Sequence, residues 1–96
     1  MDIKGVHYEV SDRTRDFITE KMKHISPFKD LVVRQDVTIT KEKSGFTVES
    51  NIHLKTGTDI HVHEDDLELY PAIERLVDKL ELKVSKEKDK IKDHHH

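Results

Sequence analysis

Apolar residues occur in four alternating runs and two helically spaced ones. In the first run, from Ile3 to Val10, Val6, Tyr8 and Val10 alternate while Gly5 marks where Ile3 falls out of phase, so the segment reads as a strand. Ser11 follows as an N-cap. From Asp12 to about Ile25, Phe17, Ile18, Met22 and Ile25 share one side of a helix, which Pro27 stops. Three further runs alternate: Val33, Val37 and Ile39; then Phe46, Val48, Ile52 and Leu54; then Ile60 and Val62. Ser44-Gly45 and Thr56-Gly57-Thr58 mark the turns, which predicts an antiparallel meander. A second helix is expected from about Leu67 to Lys90, with Glu64, Asp65, Asp66 and Glu68 at its positive N-terminal end. The element order is β-α-β-β-β-α, an α+β fold. Because the strands are apolar on one face and polar on the other, both helices are expected on one face of a four-stranded sheet, with water on the other.

The second helix also sorts its charge. At about 100° per residue, Arg75, Lys79, Lys83, Lys86 and Lys90 fall within an arc roughly 80° wide. Beside it run the apolar Leu76, Leu80, Ile73, Ile91, Val84 and Val77; Glu74, Asp78, Glu81 and Asp89 lie mostly beyond them, and Glu87 is the exception. A sorted basic stripe suggests a surface that meets phosphate. Solvation is the competing reading, because Glu and Lys at helical spacing are common on wet faces, and composition alone favours it. Yet Arg75 with Lys79, Lys79 with Lys83, and Lys86 with Lys90 are like charges four apart, so the helix itself gains nothing from the stripe. On the first helix, Lys21 sits amid the apolar arc of Phe17, Ile18 and Ile25. It either snorkels over the core or points into a groove between the helices, facing Lys79 and Lys83.

The 96 residues, 33% hydrophobic and 39% charged, allow one small domain, over residues 1–92, with a thin core and a heavily ionised surface. The formal charge of −3 conceals the local basic excess. With no cysteine, disulfides, thiolate catalysis and Cys-based zinc sites are excluded. Neither a signal-peptide core nor a run approaching the ~20 apolar residues of a membrane span is present, so a cytoplasmic protein without membrane contact is expected. Residues 93–96, with His94, His95 and His96, read as a tag remnant or disordered tail.

The segment Tyr70-Pro71-Ala72-Ile73-Glu74-Arg75-Leu76-Val77-Asp78-Lys79-Leu80 resembles the "MYAAIDxLVDKL" signature of the bacterial ribosome hibernation promoting factors. These are also called ribosome-associated translation inhibitors and were formerly known as sigma-54 modulation proteins. Val10-Ser11-Asp12 with Arg15-Asp16-Phe17-Ile18 and Lys21 is similar to the family's first helix, and Ile52-His53-Leu54 through Ile60-His61-Val62 to its hairpin. Lys86-Glu87-Lys88-Asp89-Lys90-Ile91-Lys92 is similar to the basic end of its second helix. The resemblance implies a double-stranded-RNA-binding-like fold that occupies the decoding region of the small ribosomal subunit and blocks messenger and transfer RNA, inhibiting translation under stress or in stationary phase. It implies contacts to 16S rRNA from Arg15, Lys21, Lys79, Lys86 and Lys90, to which the stripe adds Arg75 and Lys83. Tyr70 is expected to pack at the helix start. The chain most resembles the short form, which in some bacteria cooperates with a separate ribosome modulation factor to pair ribosomes. Pro71 departs from the usual Ala, tolerably so in a helix's first turn.

Other functional classes leave weaker marks. No nucleophile, paired-carboxylate or phosphate-loop pattern points to an enzyme, and no cofactor is implied. His53, His61 and His63 share the polar sheet face, where imidazoles can converge on zinc or copper; solvated strand histidines are the simpler reading. A protein-only interaction module using the polar sheet is the remaining alternative.

Overall fold

In the computed structural model, which describes residues 1–93, the chain forms β1 (Asp2–Val6), α1 (Asp12–Lys21), a 3-10 helix (Met22–Phe28), β2 (Val32–Glu42), β3 (Gly45–Leu54), β4 (Asp59–Asp66) and α2 (Leu69–Asp93). The terminal histidines His94, His95 and His96 and the side chain of Ile91 lie outside the described residues. The sheet order is β1-β2-β3-β4: β1 runs parallel to β2, and the other pairs are antiparallel hairpins. Both helices cover one face. Ile18, Met22 and Ile25 from the first helical stretch and Leu76, Leu80 and Val84 from α2 close over Val37, Ile39, Val48, Ile52 and Val62 in one core. Thr38, Thr40, Glu49, Asn51, His61 and His63 lie on the opposite face, none of them buried. No helix among the described residues is long and apolar enough to cross a membrane.

Each difference from the expected boundaries has a local cause. β1 ends at Val6 instead of continuing to Val10, because the chain turns through His7 at φ 54°. The turn brings the Tyr8 carbonyl so near Gly5 that a Cβ there would lie 2.0 Å from its oxygen, so Gly5 permits a close backbone approach. Tyr8 then packs edge-on against Phe46, 5.6 Å between ring centroids. Ser11 caps α1 as its sequence position suggests, its Oγ accepting from the Thr14 N–H at 3.1 Å. After Lys21 the helix tightens to three residues per turn, a period that places Met22, Ile25 and Phe28 on one side; the first two are buried and Phe28 half-buried. Val33, expected in the core, is 58% exposed. The β2–β3 register slips between Val32 and Arg34, so the extra residue Val33 is displaced from the alternation.

The acidic cluster also sits differently from its expected place. β4 continues through Asp66 and α2 starts only at Leu69, so Glu64, Asp65 and Asp66 belong to a strand. Alternation along β4 places Glu64 on the helix-covered side with Ile60 and Val62. Across the sheet Ile39 pairs with Val48, and Val48 with Glu64. A row of core residues therefore ends in a carboxylate.

Candidate nucleic-acid interface

The basic stripe of α2 faces the β4 edge of the sheet. Arg75 donates from Nε to Glu64 Oε1 at 2.9 Å and from Nη2 to Asp66 Oδ2 at 2.8 Å and the Asp65 carbonyl at 3.0 Å. Lys79 donates from Nζ to Glu64 Oε2. The Glu64 side chain is only 12% exposed, so its charge is partly desolvated and held by two cations. The hydrogen bond from Lys79 is the main force keeping the Glu64 carboxyl below the usual carboxylate range, with Arg75 assisting against the opposing effect of burial. Asp66 is lowered first by the Glu68 backbone N–H, which donates to Oδ1 at 2.8 Å, and then by Arg75. Arg75 is raised by Asp66 and Glu64.

Beyond Lys79 the stripe changes character. Lys83 and Lys86 are exposed and form no ion pair among the described residues, while Lys90 reaches Glu87 at 3.0 Å, with its own side chain 70% exposed. Lys79, Lys83 and Lys86 line a shallow hollow with His61, His63 and the 62%-exposed Leu82. In a chain of net negative charge, this is a concentrated cationic surface on a rigid helix.

The opposite edge of α2 meets α1 and the 3-10 helix. Tyr70 stacks on Phe17 with centroids 4.3 Å apart and planes 11° from parallel, and its hydroxyl lies 3.3 Å from Thr14 Oγ1. Tyr70 thus packs at the helix start. Farther along the same edge, Glu81 Oε2 lies 3.5 Å from His24 Nδ1, and Lys88 Nζ is 5.4 Å from the centre of the Phe28 ring. Lys21 is half-buried at this seam, with Nζ 5.5 Å from the Phe17 ring centre. The expected groove in which Lys21 faces Lys79 and Lys83 is not formed, since those lysines project from the far side of α2. Snorkelling over an aromatic surface describes Lys21 instead. Arg15 is exposed on α1, separated from the stripe by the body of α2. The seven candidate residues therefore form two groups rather than one surface.

The histidines of the polar sheet face go to separate partners. His53 Nδ1 lies 2.6 Å from Asp59 Oδ1, His61 Nδ1 2.7 Å from Asn51 Oδ1, and His63 Nε2 3.0 Å from Asp65 Oδ1. Among the described residues no cluster of three or more His, Asp or Glu side chains is placed to hold a metal ion.

Glu64, which the sequence places only in an acidic cluster at the start of the second helix, is the residue whose pairing with the stripe sequence reasoning missed. The visible signal was its phase: in Ile60-His61-Val62-His63-Glu64 it occupies the next core-facing position, where a carboxylate requires a cation. A lowered pKa makes its contribution to folding present above the unfolded glutamate value, about 4.3, and lost as pH falls through the lower folded value. The melting-temperature advantage of the native chain over Glu64→Gln is therefore expected at neutral pH and should shrink in the acid range. A gap that stays constant down to about pH 3 would remove Glu64 from the acid response.

The description "Sigma 54 modulation protein / S30EA ribosomal protein" belongs to the family model that matches residues 1–92. Among similar proteins, the ribosome hibernation promoting factor of Klebsiella oxytoca is 32% identical over 94 residues, covering 98% of both chains. That of Escherichia coli K12 is 31% identical with the same coverage. Among solved structures, a ribosomal subunit interface protein from Coxiella burnetii superposes with a TM-score of 0.83 at 24% identity, over 92% of this chain and 96% of that one. The N-terminal domain of Thermus thermophilus Protein Y gives 0.80 at 28% identity, over 90% and 98%.

Proposed function

The chain belongs to the sigma 54 modulation protein / S30EA ribosomal protein family, and we propose that it is a ribosome hibernation factor that binds the small ribosomal subunit through 16S rRNA and silences it by occupancy. The observation that carries this reading is the exposed Lys83 and Lys86 pair, cations without a carboxylate partner among the described residues, on the signature helix of an otherwise acidic chain. Phosphate supplies the missing counter-charge, and a rigid helix presents the lysines at fixed spacing to the backbone of folded RNA. The sheet's exposed face carries Thr38, Thr40, Glu49, Asn51, His61 and His63 with the charged Lys4 and Asp36, and among the described residues it has no aromatic platform of the kind that stacks single-stranded bases. Recognition is thus by shape and backbone. Lys90 extends the contact toward the C-terminal end of α2, and Arg15 and Lys21 form a second group on α1 that meets RNA only if the subunit wraps around the helical face.

Occupancy of the decoding region requires no chemistry, only competition. Saturating protein is expected to reduce initiator transfer RNA and messenger binding to purified small subunits, and added transfer RNA should displace the protein in return, since mutual exclusion acts in both directions. The rRNA should remain intact. Co-sedimentation with labelled transfer RNA reads both directions at once. Undisturbed simultaneous binding of transfer RNA, messenger and protein would place the site elsewhere on the ribosome, and binding that survives nuclease digestion of the rRNA would favour a protein-only contact.

A further inference from the structure

We propose that Glu64 is an internal competitor of RNA phosphate: it occupies Lys79 in the free protein, so the stripe engages RNA through Lys83 and Lys86, and Glu64 sets how far Lys79 can join. This inference rests on the RNA-binding reading above and specifies which of its cations are available.

The argument begins with the sheet. Glu64 continues the core-facing series of Ile60 and Val62 and lies opposite Val48 in the register. With its side chain 12% exposed, the carboxylate is partly desolvated and is stabilised by cations of the protein. Among the described residues its cations come from α2, Arg75 on Oε1 and Lys79 on Oε2. Asp66 takes a further donor of Arg75. Two carboxylates thus face two cations, and this half of the stripe presents no net charge to an approaching phosphate. Any phosphate that draws Lys79 away leaves a partly buried carboxylate with one partner fewer, and any phosphate that shares Lys79 sits beside a like charge. Arg75 is committed more fully, since both its Nε and its Nη2 are already bonded. Lys83 and Lys86 carry no such penalty.

Removing the charge of Glu64 without changing its shape should release Lys79. Glu64→Gln keeps an acceptor for Arg75, which Asp66 continues to hold. Binding to isolated small subunits is measured across a salt series for the native chain, Glu64→Gln, Lys79→Gln, the Glu64→Gln/Lys79→Gln double variant and Lys86→Gln, with each melting temperature recorded to confirm folding. Each phosphate neutralised contributes about 0.7–0.9 to the slope of log affinity against log salt. Glu64→Gln is expected to bind several-fold more tightly at low salt, with a slope steeper by about one phosphate. Lys79→Gln alone should leave the native slope nearly unchanged, and in the Glu64→Gln background it should abolish the gain. Weaker binding by Glu64→Gln, or a slope that falls by a whole phosphate in Lys79→Gln alone, would overturn the proposal and make Glu64 a residue that positions Lys79 for phosphate. Lys86→Gln separates the two levels of failure. A shallower slope there, with Glu64→Gln unchanged from native, rejects the competitor role alone; no salt dependence in any variant rejects phosphate binding by the stripe and the competitor with it.

Discussion

Replacing Lys83 and Lys86 together by glutamate is expected to weaken binding to small ribosomal subunits by at least a hundredfold while leaving the thermal midpoint almost unchanged. Both side chains are exposed and neither has an ion-pair partner among the described residues, so the folded state gives up no pairing of theirs. Hydrogen bonds to charged groups contribute about 1.5–3 kcal/mol each. Removing two together accounts for roughly 3 kcal/mol or more, about two powers of ten in affinity, before the added repulsion between glutamate and phosphate is counted. The sequence alone suggests Lys79 with Lys86 for this experiment, since both read as open surface on the helical wheel. The structure redirects it, because Lys79→Glu would set a second carboxylate against Glu64 and mix a folding defect with a binding defect. Small-subunit sedimentation and a melting curve on the same sample decide the matter. A midpoint that collapses would show the two lysines to be structural, and undiminished binding would remove them from the interface.

Val77→Asp is expected to do the reverse. Val77 is 2% exposed, within the core that α2 builds with the sheet. An aspartate there must be buried charged or buried protonated, and either state is destabilising by several kcal/mol. A domain of this length has about 5–15 kcal/mol of stability in total, so most of it would be consumed. The expected observation is loss of the cooperative melting transition, with binding abolished as a consequence. Far-ultraviolet circular dichroism during heating is the check. A Val77→Asp chain that melts near the native midpoint would contradict the buried placement of this helix face.

The sequence disclosed what is encoded locally. Alternation located β2, β3 and β4; the Ser11 cap opened α1; and the sorting of charge on α2 was visible at the correct angles. What it left open depends on distant partners. The helical wheel shows that acidic and basic edges flank the apolar stripe, but not which edge faces β4 and which faces α1. That is decided by the direction in which α2 crosses the sheet, and so the sequence leaves Lys21 between snorkelling and facing the lysines, whereas it sits beside Phe17, whose ring stacks on Tyr70. Val33 looks like a core residue because a one-residue register slip has no signature in the alternation itself. Glu64 to Asp66 resembles a helix-end cluster because consecutive carboxylates suit the positive end of a helix, and the one local sign against it is the phase of Glu64, which continues the alternation of Ile60 and Val62. The pairing of Glu64 with Arg75 and Lys79 joins residues 11 and 15 positions apart, which only the folded register brings together.

The same β4 carboxylates bear on a hazard unrelated to RNA. A four-stranded open sheet has two unpaired margins, and a margin with free N–H and C=O groups can template another chain into an aggregate. Here one margin is β1, five residues long and ended by the turn at His7. The other is β4, whose apolar residues Ile60 and Val62 face inward while three consecutive carboxylates close the strand. A second molecule laid antiparallel along β4 would bring its own acidic end toward Asp59, charge against like charge, at the point where ladder hydrogen bonds would have to form. Cross-strand addition is thereby discouraged at both borders, and β4 carries its guard against self-association in the same carboxylates, Glu64 and Asp66, that hold Arg75 and Lys79.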